Sequence, residues 1–543
     1  MPNIRLHHFH GGLHPEEHKS ISNATPIQEL ALPKQVILPL KQHIGDSNEL
    51  LVKEGDYVKK GQVLAASKAM ISAPIHASTS GTISAIKPHQ VPHASGMTAP
   101  CIIIDVDFKD AAIASAQTNF DPNELDSESL LELIKQAGVV GLGGAAFPTA
   151  AKIGSTSFDK IETLIINGAE CEPFITCDDM LMQHHADEVT KGIAWIQKIT
   201  QPKQTLIGIE NNKQLAIDAM QQAVTAASLQ NTNVCSIPTL YPSGGEKQLI
   251  TLLTGAEVPS QKKAFDVGVI CQNVGTCAAI SHALDNGQVM TSRLITVTGK
   301  GVKNPGNFNV RLGTPIAQLI KAAGGYSEDA SQLIIGGPMM GFTLPNDQIP
   351  VIKATNSILV LNEKFNPNQA SQACIRCAKC AEVCPVQLLP QQLYWYSRAS
   401  EFERITDYHL FDCIECGCCA AVCPSQIPLV QYYRYAKGQI RIDNFEKKKS
   451  EHARHRFEFR EHRLEEAKLA LEEVRRKKRE ALAAKKKDVK TPAEDAKPDP
   501  IQAALDRVKA KQETNNIIKK NTENLTPAQQ RQIDDADKRR SKS

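Results

Sequence analysis

Between residues 374 and 424 the chain uses one cysteine spacing twice: Cys374, Cys377, Cys380, Cys384 and Pro385, then Cys413, Cys416, Cys419, Cys423 and Pro424. Both runs read C-x2-C-x2-C-x3-C-P. Three thiolates so spaced wrap one cube of iron and sulfide, and the proline turns the chain so that the fourth cysteine points to the other cube. The expected ligand sets are Cys374, Cys377, Cys380 and Cys423 for one [4Fe-4S] cluster, and Cys384, Cys413, Cys416 and Cys419 for the second. Zinc uses pairs of C-x2-C and has no need of a third cysteine at x2 and a fourth at x3 before proline, in duplicate. Cys418 is spare between two ligands. The interval Val386 to Asp412 carries Leu388, Leu389, Leu393, Tyr394, Tyr396 and Phe402, which suits an amphipathic helix between the runs. Two clusters held close together have no substrate pocket of their own and work as a wire between a donor and an acceptor.

Such a module accounts for a small part of 543 residues. At 41% apolar residues the chain can bury several cores, which predicts a multidomain protein, and the motifs within it read as α/β and α+β units. The expected units are residues 1–115, 125–285, 288–345 and 363–435, followed by a tail over 445–543. Eight of the fifteen cysteines fall in the two runs, which points to a reducing compartment. No apolar run reaches the roughly 18 residues of a membrane span, and the start of the chain lacks the apolar core of a signal peptide. The expectation is a soluble or peripheral protein on the cytosolic side, with no nucleic-acid partner. From Phe445 onward 28 Lys and Arg stand against 19 Asp and Glu, so the basic excess of a chain with net charge +3 lies in its tail. Residues Phe445 to about Lys490 read as a long, charged, solvent-exposed helix, and the end beyond Thr491 as mostly disordered with one short helix near Ile501. That tail is a solvated spacer or a docking arm for partner subunits or an anionic membrane surface.

Something must feed the wire. The candidate is a glycine-rich loop with Gly138, Gly141, Gly143, Gly144, Phe147, Pro148 and Lys152, placed after a helix expected over Ser127 to Gln136. Glycines let backbone N–H groups approach a ligand, and a helix start behind them favours an anion. No strand clearly precedes the loop and its spacing differs from G-x-G-x-x-G, so it is not a Rossmann fingerprint. Downstream come a buried strand at Leu164 to Gly168 that leads into Glu170 and Glu172, a turn with Tyr241, Gly244, Gly245 and Glu246, and a segment with Asn273, Gly275 and Thr276. Polar residues at strand ends and in glycine turns are where α/β folds hold ligands.

In this order the motifs resemble those of the flavin- and NADH-binding subunit of respiratory complex I. The resemblance implies FMN with NAD(H) stacked on it. It assigns Gly141, Gly143, Gly144 and Lys152 to the flavin, and Asn273 and Thr276 to its phosphate. Asn167, Glu170 and Glu172 would line flavin and nicotinamide, with Glu172 the catalytic candidate. Phe147 would flank the dinucleotide, and Tyr241, Gly244 and Glu246 complete the cofactor-binding set. Three departures stand out: Ala169 replaces an aspartate, Gly245 and Glu246 replace an acid pair, and no aromatic follows Lys152.

Upstream, short strands around Gly55 to Leu64, Ser72 to Ala77 and Ser80 to Ile86 read as a small β-sandwich. It resembles the lipoyl and biotinyl carrier fold, but Lys68, Ala69 and Met70 stand in the wrong order for an attachment site, so a structural role is expected. Downstream, a hairpin at Arg293 to Gly299 and Gly306 to Val310, a helix at Pro315 to Ala323 and a strand from Leu333 resemble a soluble-ligand-binding β-grasp unit, serving as spacer or ligand site. His7, His8, His10 and His14 are read as a loop covering the next domain rather than a metal site. The whole order resembles the C subunit of the Rnf (Rsx) ion-translocating electron-transport complex. That implies a peripheral protein on the cytoplasmic face of the inner membrane, bound to integral partners that move Na+ or H+. Electrons would pass between NAD(H) and ferredoxin by way of FMN and the two clusters. Two other readings share these motifs: a soluble reductase like the cobalamin reductase of propanediol utilisation, and a non-catalytic electron-wire subunit.

Overall fold

The computed structural model describes residues 5–113, 122–154, 161–365, 370–487 and 500–514. It divides into two compact units, Met1–Phe445 and Glu446–Ser543. Near the N-terminus, strands Gln35–Pro39, Thr98–Val106, Gly81–Gln90 and Tyr57–Val58 pair in that order, and Glu49–Leu50, Val63–Ala66 and Ile75–His76 form a second sheet. Side chains alternate across a strand, so Val36, Leu38, Ile102 and Ile104 all reach one core, where they meet Val58, Leu64, Ile75 and Ile83.

The next domain is a parallel sheet in the order Thr232–Ile237, Gln204–Glu210, Thr163–Gly168, Val269–Asn273. Leu164, Ile165 and Ile166 are all buried, because helices cover both faces of a parallel sheet and the strand therefore carries an unbroken apolar run. The expected helix Ser127–Gln136 forms, capped by Asp126, whose carboxylate accepts from Ser129 N at 2.9 Å. Leu130 and Ile134, one turn apart, are its buried stripe.

The expected hairpin also forms, with Ile295 opposite Phe308. Its sheet has six strands in the order Gln28–Glu29, Gly306–Arg311, Ser292–Thr298, Ser357–Asn362, Ala330–Ile335, Phe342–Thr343. Two of these come from outside residues 288–345, and one of them, Ser357–Asn362, is buried along its whole length. The cysteine module follows, with short helices Lys379–Glu382, Pro390–Ala399, Phe402–Asp407 and Cys418–Ala421 around Leu388, Leu393, Ile405 and Leu410.

The helix Leu429–Lys487 begins sixteen residues before the expected charged run, because its first turns bury Leu429, Tyr433, Ala436 and Ile440 in the cysteine module. In the second unit every residue of this helix from Glu446 to Ala484 is exposed, and pairs such as Lys477 with Glu473 at 2.9 Å run along it. Pro500–Thr514 is the short helix expected near Ile501; the remainder of that expected disordered end lies outside the described residues. No helix among the described residues is long and apolar enough to cross a membrane.

Candidate flavin and cluster sites

At the C-terminal ends of the parallel strands the chain must turn, and its backbone groups are free to meet a ligand. Strand Val269–Asn273 ends on Asn273, which caps helix Val274–Asn286 by accepting Gly275 N at 2.9 Å; its amide donates to Asp178 at 2.6 Å. Thr276, in the first turn of that helix, is buried and accepts Leu142 N at 2.9 Å. The glycine-rich loop is thereby pinned on a helix N-terminus, where partial positive charge collects. The loop closes on itself through Gly141 N to Phe147 O at 2.8 Å. Gly143 rests against the side chain of Asn273, while Gly144 has φ +115° and open space where a Cβ would stand. Only glycine is comfortable there, and the loop presents bare backbone to whatever lies in front. These features fit the phosphate and ring edge of a flavin nucleotide.

Lys152 donates to Glu246 and to Cys271 O, both at 2.7 Å. Burial is the largest influence and would lower its pKa, but the charge and hydrogen bond of Glu246 together with the nearby Cys271 raise it on balance. Asn167 reaches across to Gly244 O at 2.8 Å, and Gly244 N donates to Cys171 Sγ at 3.3 Å. The glycine loop, Lys152, Asn167, Gly244, Glu246, Asn273 and Thr276 are thus linked at one rim. Glu170 and Glu172 direct their carboxylates to backbone N–H groups instead. Glu170 accepts from Asp178 N at 2.7 Å and Asp179 N at 3.1 Å, and burial pushes it up to about 8. Glu172 accepts from Met339 N at 2.7 Å and Met340 N at 3.0 Å, which ties the flavin domain to the β-grasp sheet, and burial raises its pKa too.

Sequence reasoning missed several groups that hold this rim. Lys19 is buried and donates to the carbonyls of Glu170, Glu172 and Ile175 at 2.7, 3.0 and 2.8 Å. Lys213 pairs with Glu210 at 2.8 Å, and Glu210 in turn accepts Ser243 Oγ at 2.8 Å. No motif marks a lone lysine that serves distant carbonyls. A cavity of about 750 Å³ opens beside the rim, lined by Leu142, Asp178, Gly275, His282, Arg293 and Arg311, among others. None of the residues assigned to flavin or nicotinamide from the sequence lines it.

The two cysteine runs share one backbone design. Arg376, Ala378 and Gln387 have positive φ, and so do Glu415, Gly417 and Gln426 at the same offsets. Left-handed residues turn successive N–H groups toward one concave side, a nest suited to anionic sulphur, whether cysteine thiolate or iron-bound sulfide. Arg376 N points to Cys374 Sγ at 3.4 Å and Leu388 N to Cys384 Sγ at 3.3 Å. Cys384, Cys413, Cys416 and Cys419 line one void with Leu388, Leu393 and Tyr433. Sulphurs on a single zinc at 2.3 Å would lie roughly 3.8 Å apart. Among the described residues the sole group of three or more donor atoms within 4.8 Å of one another is Glu170, Cys177 and Asp178, with no cysteine of either run. Four thiols around one void are the donor set that a cube requires.

The N-terminal segment bridges the turn at Thr239 to Tyr241 and the cysteine module at Val383 and Cys384. His7 N donates to Leu252 O at 2.9 Å, His10 Nδ1 lies 3.0 Å from Cys384 O, and His14 Nδ1 lies 2.8 Å from Thr239 O. The rings of His10 and His14 meet separate carbonyls, and His7 is held through its backbone.

Four family models match the chain: the RnfC barrel sandwich hybrid domain over residues 7–109, the Nuo51 FMN-binding domain over 134–282, the SLBB domain over 294–343, and the 4Fe-4S dicluster domain over 373–427. A protein of Pectobacterium atrosepticum, named as the C subunit of an ion-translocating oxidoreductase complex, is 47% identical, with 75% of this chain and 58% of that protein covered. The protein of the same name from Haemophilus influenzae strain PittEE is also 47% identical, with 84% of this chain and 69% of that protein covered. The chain belongs to the family of C subunits of ion-translocating oxidoreductase complexes. Family membership accords with the domain order, the FMN-binding domain and the two [4Fe-4S] clusters expected from the sequence. The chain spans little more than half the length of several of these relatives. A crystal structure of an NAD+-reducing [NiFe]-hydrogenase in the H2-reduced state is similar at TM-score 0.44 and 18% identity, covering 61% of this chain and 65% of that one.

Proposed function

We propose that this chain is the peripheral electron-transfer subunit of a membrane complex that passes electrons between NAD(H) and ferredoxin or a similar acceptor and couples them to ion movement. It would sit on the cytoplasmic side of the inner membrane, held there by the other subunits of the complex. The observation that carries this reading is the glycine loop pinned by Leu142 N and Thr276 to the start of helix Val274–Asn286, in the same compact unit as two sulphur-facing nests. FMN supplies two-electron exchange with a nicotinamide and one-electron release to clusters. The chain's part is to hold and orient. Backbone at Gly141, Gly143 and Gly144 and the ammonium of Lys152 hold the flavin, and Asn273 and Thr276 serve its phosphate end. Asn167, Tyr241, Gly244 and Glu246 frame the ring, and Phe147 flanks the dinucleotide. Glu170 and Glu172, the latter the catalytic candidate of the sequence, stand beside the rim as positioning groups whose carboxylates fix the surrounding backbone. The lipoyl-like sandwich over residues 1–115 is structural, and the β-grasp unit over 288–345 is a spacer beside the flavin domain over 125–285 and the cluster module over 363–435. The relatives' names, which place them in complexes, favour this reading over a soluble corrinoid reductase.

The test is anaerobic purification of the chain, with flavin and iron quantified and NADH then mixed in rapidly. About one FMN and about eight iron per chain are expected, with flavin and cluster absorbance both bleaching. Iron without flavin, and no response to NADH after FMN is added, would leave a wire without a nicotinamide site.

A further inference from the structure

The two cysteine runs are copies in sequence and in backbone but differ in setting. The second run is enclosed. Cys416, Cys418 and Cys419 are buried, and Cys416 and Cys418 form one apolar cluster with Tyr241, packed by Cys171 and Met339. Tyr241 comes from the turn that carries Gly244 and Glu246, and its hydroxyl donates to Cys416 O at 2.5 Å. A Cβ on Gly417 would press on the carbonyl of Met339, whose own N–H is held by Glu172. Cys384, which shares the second run's void, has its carbonyl 3.0 Å from His10, and its neighbour Val383 accepts Gly12 N at 3.0 Å. Every one of these contacts runs to the flavin domain, the N-terminal segment or the β-grasp turn at Met339.

The first run faces outward. Cys377 is exposed where its counterpart Cys416 is buried, and Ile375 is 67% exposed. Arg376 and Lys379 flank it on the surface. From Gln372 to Cys380 the hydrogen bonds stay within the module, as in Gln372 N to Ser425 O at 2.9 Å and Ser425 Oγ to Ala373 O at 2.9 Å, and only the end of the run, at Val383 and Cys384, turns toward the flavin side.

From this asymmetry we infer that the module is polarised: the Cys384, Cys413, Cys416 and Cys419 set is its receiving end, and the Cys374, Cys377, Cys380 and Cys423 set is the end that meets the next electron carrier. The inference rests on the flavin reading above. The cluster held by the receiving set would take one electron from the flavin side and give it up to the cluster held by the outer set, so that one electron enters the module for each one that leaves it. Tyr241 is a positioning residue that holds the receiving loop against the flavin-side turn.

Two variants of the full chain test the order. Cys413→Ser with Cys416→Ser removes the receiving cluster, and Cys374→Ser with Cys377→Ser removes the outer one. About four iron per chain and a dithionite-reducible electron paramagnetic resonance signal establish that the remaining cluster has assembled. In the first variant NADH is expected to bleach the flavin and leave the remaining cluster oxidised, a complete loss of its signal. In the second the remaining cluster is expected to be reduced by NADH as in the parent. The reverse pattern, or reduction by NADH in both, overturns the inference. If the serine variants do not assemble, brief ferricyanide treatment of the unmutated chain gives a half-loaded protein, with alkylation mapping the freed cysteines. Release of Cys374, Cys377, Cys380 and Cys423 first, with the remainder still reducible by NADH, supports the order; release of the other set first opposes it. If NADH fails to bleach the parent's flavin, the nicotinamide reading has failed, and the same preparations are read after light-driven reduction of the flavin.

Discussion

His76, Lys353 and the backbone of Pro74 and Gly138 converge where the sandwich meets the flavin domain. Lys353 is buried and donates to two carbonyls, Pro74 O at 2.8 Å and Gly138 O at 2.6 Å. His76 is buried beside it. Burial, with help from the Lys353 ammonium, holds the imidazole down at about 3. The folded value lies below the unfolded one of about 6.5, so the folded chain binds fewer protons across that interval. Stability is therefore intact above the unfolded value and is lost as pH falls toward the folded one, by on the order of 4 kcal/mol at the acid end. Lys353, held at about 7 by burial, acts in the same sense at higher pH. His76→Gln is expected to flatten the fall in melting temperature between roughly pH 6 and pH 4. Scanning calorimetry of both proteins across that range decides it; parallel pH profiles would remove His76 from the account.

Where helices Ala186–Thr200 and Val274–Asn286 cross, the contact depends on one missing side chain. A Cβ on Gly192 would overlap the carbonyl of Cys277, and both elements are rigid there because each packs on the same core. Overpacking of this kind costs 1–3 kcal/mol when side chains can yield. Backbone cannot, so Gly192→Ala is expected to destabilise by about 3 kcal/mol or more. Urea unfolding measures it, and a loss below about 1 kcal/mol would mean that the helices slide apart freely. This crossing was not legible in the sequence, since a glycine inside a helix is marked only by its partner. The capped helix Ser127–Gln136 was legible because its signals are local. So were the cysteine nests, whose spacing is itself the structural constraint. Ser357–Asn362 was not, although it is a compact apolar run, because its pairing with Ser292–Thr298 is set by a sheet assembled from distant segments. Of the rim at the strand ends, the glycine loop, Asn273 and Thr276 were singled out by their resemblance to family motifs, and the structure brings them together. The commitment of Glu172 to the backbone of Met339 and Met340 was hidden, because it joins residues 167 and 168 positions apart.

For the molecule as a whole, the helix Leu429–Lys487 has two regimes. Over its first three turns it belongs to the cysteine module: Tyr433 donates to Pro390 O at 2.7 Å, Lys437 to Cys413 O at 2.7 Å, and Arg434 and Lys437 both hold Glu415 at 2.8 Å. Glu415 is the left-handed residue before Cys416, so this helix clamps the second nest. From Arg441 to Ala484 every residue is exposed. Burial of Leu429, Tyr433 and Ile440 contributes roughly 1.5–3 kcal/mol each, a large share of the 5–15 kcal/mol by which a domain is stable. A chain ending at Phe445 is therefore expected to keep the iron content and melting temperature of the full protein. A chain ending at Pro428 is expected to lose the second cluster first, since Glu415 and the carbonyl of Cys413 lose their cations together. Iron per chain and thermal unfolding of the two truncations decide between them. Loss of iron in the longer one would mean that the exposed stretch supports the module, and full iron in the shorter one would mean that the nests hold without their clamp.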